Sequence, residues 1–506
     1  MSRGVGNLGD LLRNAAQRHP DREFVVCGDR RFSFATFNAR VNRIAHALGD
    51  LGIAPGDHVA TIGYNDDALL ALTFALAKLG AVSVPLNTML TASDVDDVLE
   101  RSGARAFVFA EEFAPLADEL AADLPLWLGL GRPAGRAADG LGDLEKGRPE
   151  VEPPPAPSGD ASATVLYTSG STGRPKGCTK SHANQIFSAI NCQLETPRRR
   201  GDTELFTVPL SGVGFANFVL PNVISGSRVV ITRFEAASCL ELIERERVTH
   251  VFLAGTMLAA MLECPGQERR DLSSLRLVET AYQLSDRVRA GIAERFGPIV
   301  RYCYGSSEGS NWAAPAEMFL ERPDCVGFPK GLDRYRIAGE DGAELPDGEV
   351  GEVLVAGPTV MLGYLGEPDA SEEALRDGWL HTGDLGLRDT DGMMLFRGRK
   401  KDVIKSGGLS VAAGEVELAI ARHDAVAEVV VIGVPSDRWG EAVRAVVVPR
   451  GGAGSDDLLV ALQDHCREHL AGYKRPKDIV FAAALPKNPG GKIAKAEVQA
   501  RFGSDG

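Results

Sequence analysis

The alternation of short apolar runs with amphipathic ones constrains this chain more than any other feature. "HVATIGY" (58–64) reads as a buried strand, "DALLALTFALAKLG" (67–80) as a helix and "AVSVPL" (81–86) as the next strand. Helical runs at 8–20 and 34–51 precede them. The rhythm returns after residue 160, with strands "ATVLYT", "SRVVIT" and "THVFLAG" around helices "HANQIFSAINCQL" and "AASCLELIERER". Strands separated by helices imply parallel sheets with crossover helices. The expectation is an α/β protein with two similar halves, about 1–155 and 156–330. They are joined by the stiff, extended connector "GRPEVEPPPAPSGDAS" (147–162).

Beyond 330 the pattern changes. Short β-type runs with frequent turn signals over 331–400 predict a small β-barrel or antiparallel layer. After "RGRKKD" (397–402) a further segment carries its own helices ("AGEVELAIARH", "SDDLLVALQDHCREHL") and strands ("VAEVVVIGV", "AVRAVVVPR"). Residues 1–400 are therefore expected as a large N-terminal domain and 401–506 as a smaller α+β domain. The formal net charge of −14 argues against broad nucleic-acid binding, which needs a basic face. The start has no apolar signal region, and no run approaches the roughly 20 apolar residues of a spanning helix. The eight cysteines form no CxxC pair, so neither a zinc site nor a disulfide framework is suggested. A reduced, cytoplasmic protein, monomer or homodimer, without a membrane partner is expected.

The chemistry is concentrated in "YTSGSTGRPKG" (167–177). Glycine and small hydroxyl residues let backbone approach a ligand and offer N–H and O–H donors to phosphate oxygens. Lys176 adds charge. The spacing is not that of a P-loop, in which the lysine opens a helix. Here Pro175 precedes it, Gly177 follows it, and "GCTKSH" delays the helix. A triphosphate grip of another kind is implied.

Four more stretches follow in order: "YGSSE" (304–308), "HTGD" (381–384), "GRKKDVIKSGG" (398–408) and "PKNPGGK" (486–492). Together the five motifs resemble the core motifs of the adenylate-forming superfamily, and most closely those of acyl- and aryl-CoA synthetases. The resemblance spans about residues 8–500. It implies ATP-dependent activation of a carboxylic acid as an acyl-adenylate, with Mg²⁺ and pyrophosphate release, followed by transfer to the thiol of coenzyme A. It also implies that the C-terminal domain rotates between the two steps.

By the same resemblance, Thr168, Ser169, Gly170, Ser171, Thr172, Gly173 and Lys176 wrap the β- and γ-phosphates. Ser307 touches the α-phosphate, and Glu308, with Thr168, holds the metal. Thr280, Ala281, Tyr302, Tyr304, Gly305 and Ser306 surround the adenine and its phosphate. Asp384 takes the ribose hydroxyls with Arg399 beside it. Lys492 bridges carboxylate and α-phosphate, and Lys401 is the hinge. Lys405, Gly407, Gly408, Trp439, Tyr473, Lys474 and Arg475 meet coenzyme A.

The acyl side departs from the family pattern. The histidine expected after "LFTVP" (205–209) is replaced by Ser211 or Gly212, and the adenine loop reads "ETAYQLS" (279–285), which places Tyr282 in or beside the pocket. Tyr302 stands where an amide or acid usually meets adenine. The candidate pocket is Phe187, Ser211, Gly212, Phe215, Phe252, Gly255, Ala281, Tyr282, Cys303, Gly305, Ser310 and Asn311. Its mix of aromatic and small polar groups favours an aromatic or short functionalised acid, of the kind used in secondary metabolism. An altered acceptor or substrate is the alternative: loading of a carrier protein, or activation of nitrite to diazotise an aryl amine.

Overall fold

A computed structural model describes residues 6–168, 175–281, 286–322, 324–436, 438–487 and 493–503, with backbone alone at 286–287 and 310–311. Three sheets carry the chain. The smaller sheet of the N-terminal part is parallel at its centre, with Val82–Pro85, His58–Ile62, Ala106–Phe109 and Leu126–Gly129 side by side. The larger sheet has a parallel run from Glu23–Cys27 through Arg228–Ile231, Thr203–Phe206, His250–Phe252 and Leu277–Thr280 to Val300–Ser306. The α/β reading and its large N-terminal part hold.

The halves are not cut where sequence order places them. The hairpin Glu23–Cys27/Arg30–Ser33 joins the larger sheet, against Arg228–Ile231. Conversely, Ser162–Thr168 and Lys176–Ser181 join the smaller sheet, against Val82–Pro85. A boundary near 155 therefore separates segments that are exchanged in space. The physical reason lies in the helices. Asp67–Leu79 is buried on almost every side, from Leu69 to Lys78, and a helix apolar all round needs neighbours on all faces. Its Phe74 packs against Phe37 and Phe215, 6.4 and 5.2 Å between ring centroids, so one core draws on both halves.

The 331–400 region forms an antiparallel layer, Arg334–Ala338, Gly351–Ala356, Trp379–Arg388 and Met394–Arg399, which continues the larger sheet through Cys325–Pro329. The C-terminal residues build a separate five-stranded sheet around the long pair Val426–Ser436/Gly440–Pro449, backed by Ala413–Ala421 and Asp456–His469. No described helix is long and apolar enough to cross a membrane.

A buried ionic network fixes the strand that feeds the site. Arg198 is fully buried, with Nε 2.9 Å from Glu204 and Nη2 3.4 Å from Glu279. Its Nη1 donates to the Thr196 carbonyl at 2.8 Å. Removing one member of such a network strands the others in low dielectric. Arg198→Leu is expected to cost about 3–5 kcal/mol, read as a lowered denaturation midpoint. An unchanged midpoint refutes the role.

Candidate active site

The glycine- and hydroxyl-rich segment joins two antiparallel strands. Ser162–Thr168 enters it and Lys176–Ser181 leaves it, with Thr168 opposite Lys176 and Tyr167 opposite Gly177. The helix His182–Glu195 starts only at Ser181, whose hydroxyl accepts from Asn184 N at 3.0 Å in a capping box. This is hairpin geometry, as the spacing of Lys176 requires. Ser169, Gly170, Ser171, Thr172 and Gly173 lie outside the described residues, as do Tyr282 and Lys492.

A second turn faces this hairpin. Val300–Ser306 reverses through Ser307, Glu308 and Gly309 into Ser310–Ala313, with Ser306 opposite Ser310. Gly309 has φ +128°, and a Cβ there would lie 2.6 Å from Val360 Cα and 2.8 Å from Thr359 O. Only glycine admits that approach. Met361 N donates to Glu308 O at 2.7 Å, and the Cys178 thiol donates to Ser307 O at 3.2 Å. The turn is thus clamped by the 359–361 segment and by the strand that follows Lys176.

The clamp brings together residues that are remote in sequence. Tyr364 pairs opposite Cys178, and its hydroxyl donates to Glu308 Oε1 at 3.1 Å. Lys176 Nζ sits 5.1 Å from the Tyr364 ring centre, within cation–π range. Lys176, Tyr364 and Glu308 form one cluster. Tyr364 was not expected from the sequence; its only signal was a tyrosine in the glycine turn "LGYLG".

Tyr304, Asp384 and Arg399 form the neighbouring cluster. Asp384 and Arg399 face each other across antiparallel strands, and Arg399 Nε lies 2.7 Å from Asp384 Oδ1. The Tyr304 hydroxyl donates to Asp384 Oδ2. Asp384 is almost wholly buried and its backbone N–H donates to Thr382 Oγ1 at 3.1 Å. Burial, reinforced by the Asp384 carboxylate, lifts the Tyr304 phenol well above its ordinary value. The Tyr304 ring packs against Trp312 and Phe396, at 5.2 and 5.8 Å.

The adenine and acyl sets separate on inspection. Tyr302 is withdrawn from the nucleotide set: it is buried, with its ring 5.0 Å from Phe319 in the core of the larger sheet. Thr280 pairs opposite it and is fully buried, with Ala281 half-buried after it. The Cys303 thiol donates to Thr280 O at 3.3 Å, and burial pushes its pKa up. Phe252 stacks on Phe218 at 4.9 Å, Phe187 is half-buried, and Gly255 starts the helix Gly255–Glu263. Gly212, Phe215 and Ser306 line a cavity that ends at Gly309, whereas Ser211 does not line it. Gly305 is exposed on its strand. The side chains of Ser310 and Asn311 lie outside the described residues.

The C-terminal set divides in the same way. Gly407 and Gly408, at φ +59° and +79°, turn the hairpin Val403–Ser406/Leu409–Ala412. Gly407 N donates to Trp439 O at 2.8 Å, and a Cβ on Gly407 would lie 2.9 Å from the indole. Lys477 Nζ and Arg438 flank the Trp439 ring at 5.2 and 4.7 Å, a pair of cations the sequence reading did not single out. Lys405 is exposed and donates to Ser410 Oγ at 2.7 Å; Tyr473 is exposed. Lys474 is engaged by Glu415 at 2.6 Å, and Arg475 donates to the Leu470 and Arg467 carbonyls, so these two serve the local fold. Lys401 stands between residues tied in opposite directions. Lys400 pairs with Glu352 at 2.9 Å and Asp402 with Lys495 at 2.9 Å, while Lys401 has no partner among the described residues.

A parallel α/β body, a hydroxyl-rich hairpin facing an acidic turn, and a buried aspartate beside them define an adenylate-forming enzyme. The chain belongs to the AMP-binding enzyme family: that family's model matches residues 12–365, and the model of its C-terminal domain matches 415–492. It is similar to a feruloyl-CoA synthase of Amycolatopsis sp, 38% identical over 98% of this chain and 99% of the relative. It is also similar to the fatty acid–[acyl-carrier-protein] ligase ScoC of Streptomyces coeruleorubidus, 34% identical over 97% of this chain and 95% of the relative. Among solved structures, the amide bond synthetase McbA from Marinactinospora thermotolerans superposes with a TM-score of 0.88 at 30% identity, over 98% and 99% of the two chains. The chain is an AMP-forming acid ligase of the acyl-CoA synthetase class.

The geometry makes a spectroscopic prediction. Burial lifts Tyr304 and Tyr364, each helped by its carboxylate, and also lifts Tyr335 and, to about 12, Tyr167. Folded values above unfolded ones stabilise the protein fully below the unfolded pKa, and that stability is lost as pH rises through the folded values. At about pH 10.5, no more than half of the eight tyrosines are expected to absorb as phenolate in the folded protein. Tyr304→Phe is expected to leave that early signal unchanged. Full ionisation before unfolding contradicts the assignment.

Proposed function

We propose that the chain activates a carboxylic acid with ATP and passes the acyl group to the thiol of coenzyme A, with an aromatic or short functionalised acid as substrate. In the first step a carboxylate oxygen attacks the α-phosphorus, the bond to the β-phosphate breaks, and pyrophosphate leaves. In the second the thiol sulfur attacks the acyl carbon, AMP departs and the thiol proton goes to solvent.

One observation carries this reading. Three residues of one strand and its turn separate Tyr304, tied to Asp384, from Glu308, tied to Tyr364. A nucleoside end and a phosphate end lie along a single element. Asp384 is the buried paired acceptor for the ribose hydroxyls, with Arg399 holding it charged and in place. Tyr304 offers its ring to the adenine while its hydroxyl orients Asp384. Lys176, with Thr168 and the segment 169–173, is assigned to the β- and γ-phosphates, and Ser307 to the α-phosphate. Lys492 is assigned the bridge between carboxylate and α-phosphate.

The donor set also suits Mg²⁺, a hard cation that wants carboxylate and phosphate oxygens. Glu308 spends Oε1 on Tyr364, and Oε2 has no partner among the described residues. Glu308, with Thr168, would hold the ion, which when bound neutralises charge on the phosphates. Around it, Tyr364 orients Glu308, and the clamp on Ser307 and Gly309 fixes the turn before ATP arrives, so little reorganisation is needed during reaction.

For the acceptor, the indole of Trp439 between Arg438 and Lys477, against the Gly407–Gly408 turn, suits the nucleotide and arm of coenzyme A. The feruloyl-CoA synthase likeness points the same way. Likeness to ScoC and to McbA supports a second reading, in which a carrier-protein thiol or an amine takes the acyl group. Lys401, unpartnered between two anchored neighbours, is assigned the hinge on which residues 401–506 turn between steps.

Pyrophosphate release over a panel of acids, with and without coenzyme A, tests the reading. Glu308→Gln is expected to lower it by on the order of a hundredfold, as when a transition-state charge contact is lost; near-normal release removes Glu308 from the metal. Lys401→Pro fixes φ and removes an N–H. It is expected to spare pyrophosphate release and depress thioester formation, whereas Lys492→Ala is expected to cripple release and spare transfer from supplied adenylate. Equal loss of both steps in each variant refutes the turning domain.

A further inference from the structure

The cavity behind the Ser306–Gly309 turn carries a cation that the reaction above does not use. Lys180 follows Cys178 by two residues on the same strand, so both side chains leave on the face toward the clamped turn. Lys180 is 6% exposed. Its Nζ donates to the Thr359 carbonyl at 2.6 Å, its only hydrogen-bond partner among the described residues. An ammonium has three donors. No described carboxylate lies within salt-bridge distance of it. Burial lowers its pKa, outweighing the more distant Cys178, Glu308 and Asp333.

The cavity is mixed, with Pro85, Leu166, Leu210, Val213 and Phe215 on its apolar side and its polar groups gathered near Lys180. Thr164, Gln185, Ser188 and Asn217 line it beside Lys180, and Gly212 and Ser306 connect it to the site. Gln185 Nε2 donates to Thr164 Oγ1 at 2.9 Å, which leaves its second N–H and the Asn217 amide N–H₂ as donors for an acidic group. The enclosed volume is about 30 Å³, room for roughly two water-sized atoms, or the two oxygens of a carboxylate. An ammonium buried this far is costly unless a counter-charge joins it. Burial favours the uncharged amine, and an acidic occupant of the cavity would favour the ammonium by pairing with it.

We propose that this cavity receives a second acidic group of the acid being activated, a carboxylate, with Lys180 as its counter-ion. The proposal rests on the ligase reading above and narrows it: the substrate is a short dicarboxylic acid, one carboxylate going to the α-phosphate and the other to Lys180. The small volume selects against a long alkyl chain at this end. The same volume is too small for an aromatic ring, which has to lie outside the cavity, toward Gly212 and Phe215.

Two measurements test this separately from the ligase reading. The first is calorimetric titration without ATP, using succinate against butyrate, then malonate, glutarate and phthalate against their monocarboxylic analogues. At least one dicarboxylate is expected to bind about 10- to 100-fold tighter than its analogue, the range for a hydrogen bond to a charged group. Lys180→Met is expected to erase the difference. No preference for any dicarboxylate overturns the subsite, whatever other acids the enzyme turns over. The second is pyrophosphate release. Lys180→Met is expected to lower kcat/KM for the preferred dicarboxylate by about that factor, with the monocarboxylate and the KM for ATP unchanged. Equal loss for every acid, or a raised KM for ATP, means that Lys180 only braces Thr359 and overturns the proposal. If Lys180→Met does not fold, Gln185→Leu decides: a selective loss of dicarboxylate binding supports the subsite and an unselective one refutes it. Selective binding without any pyrophosphate release keeps the subsite and sinks the ligase reading.

Discussion

The close approach of backbone at Gly309 governs the rest of the site. Val360 and Thr359 occupy the space a side chain would take, and Met361 and Cys178 hold the carbonyls of the two preceding residues, Glu308 and Ser307. Three segments, near residues 178, 308 and 360, are thereby locked into one geometry. Glu308 and Lys176 reach the same Tyr364 only because of that lock. The clamp uses backbone groups and a thiol, so it leaves the Glu308 carboxylate and the Lys176 ammonium for ligand.

Electrostatics divides the interior into paired and unpaired charge. Arg198 is neutralised by Glu204 and Glu279 and serves the fold. Asp384 is buried and paired with the half-exposed Arg399, and it also accepts from Tyr304. Lys330 is buried as well, but against the opposing effect of burial its neighbours, the Glu279 carboxylate among them, raise its pKa above the ordinary lysine value, and its Nζ donates to Cys192 Sγ. Lys180 differs in that burial prevails over its neighbours. The two lysines are alike in sequence and in exposure, and only the surrounding charges tell them apart.

The exchange of strands between the sheets has a mechanical consequence. The hairpin at 23–33 and the hairpin at 162–181 each tie one half to the sheet of the other, around a helix with no free face. The N-terminal part is therefore interlocked. The crossing at Lys400–Asp402, by contrast, is a single short turn, with Lys400 and Asp402 bonded to opposite sides.

The sequence alone determined the local elements and the chemistry of the motifs. Periodicity placed strands at 58–64, 81–86 and 163–168, and the position of Pro175 and Gly177 excluded a helix-opening lysine, because these depend on neighbours along the chain. The neighbourhood of Asp384 and Arg399 came from the family resemblance, and the structure supplies its cause, antiparallel strands that set the two opposite each other. What only the tertiary structure decided lies between distant segments. The strand exchange, the clamp on Gly309, the link from Tyr364 to Glu308 and the isolation of Lys180 depend on contacts between residues from 56 to 204 positions apart in the chain, or nearly so. Tyr302 shows the limit most plainly. It sits inside a motif, and motif position suggested adenine, yet the strand presents its ring to Phe319 in the core. Residue type states what a side chain is able to do, and the packing of remote segments decides what it faces.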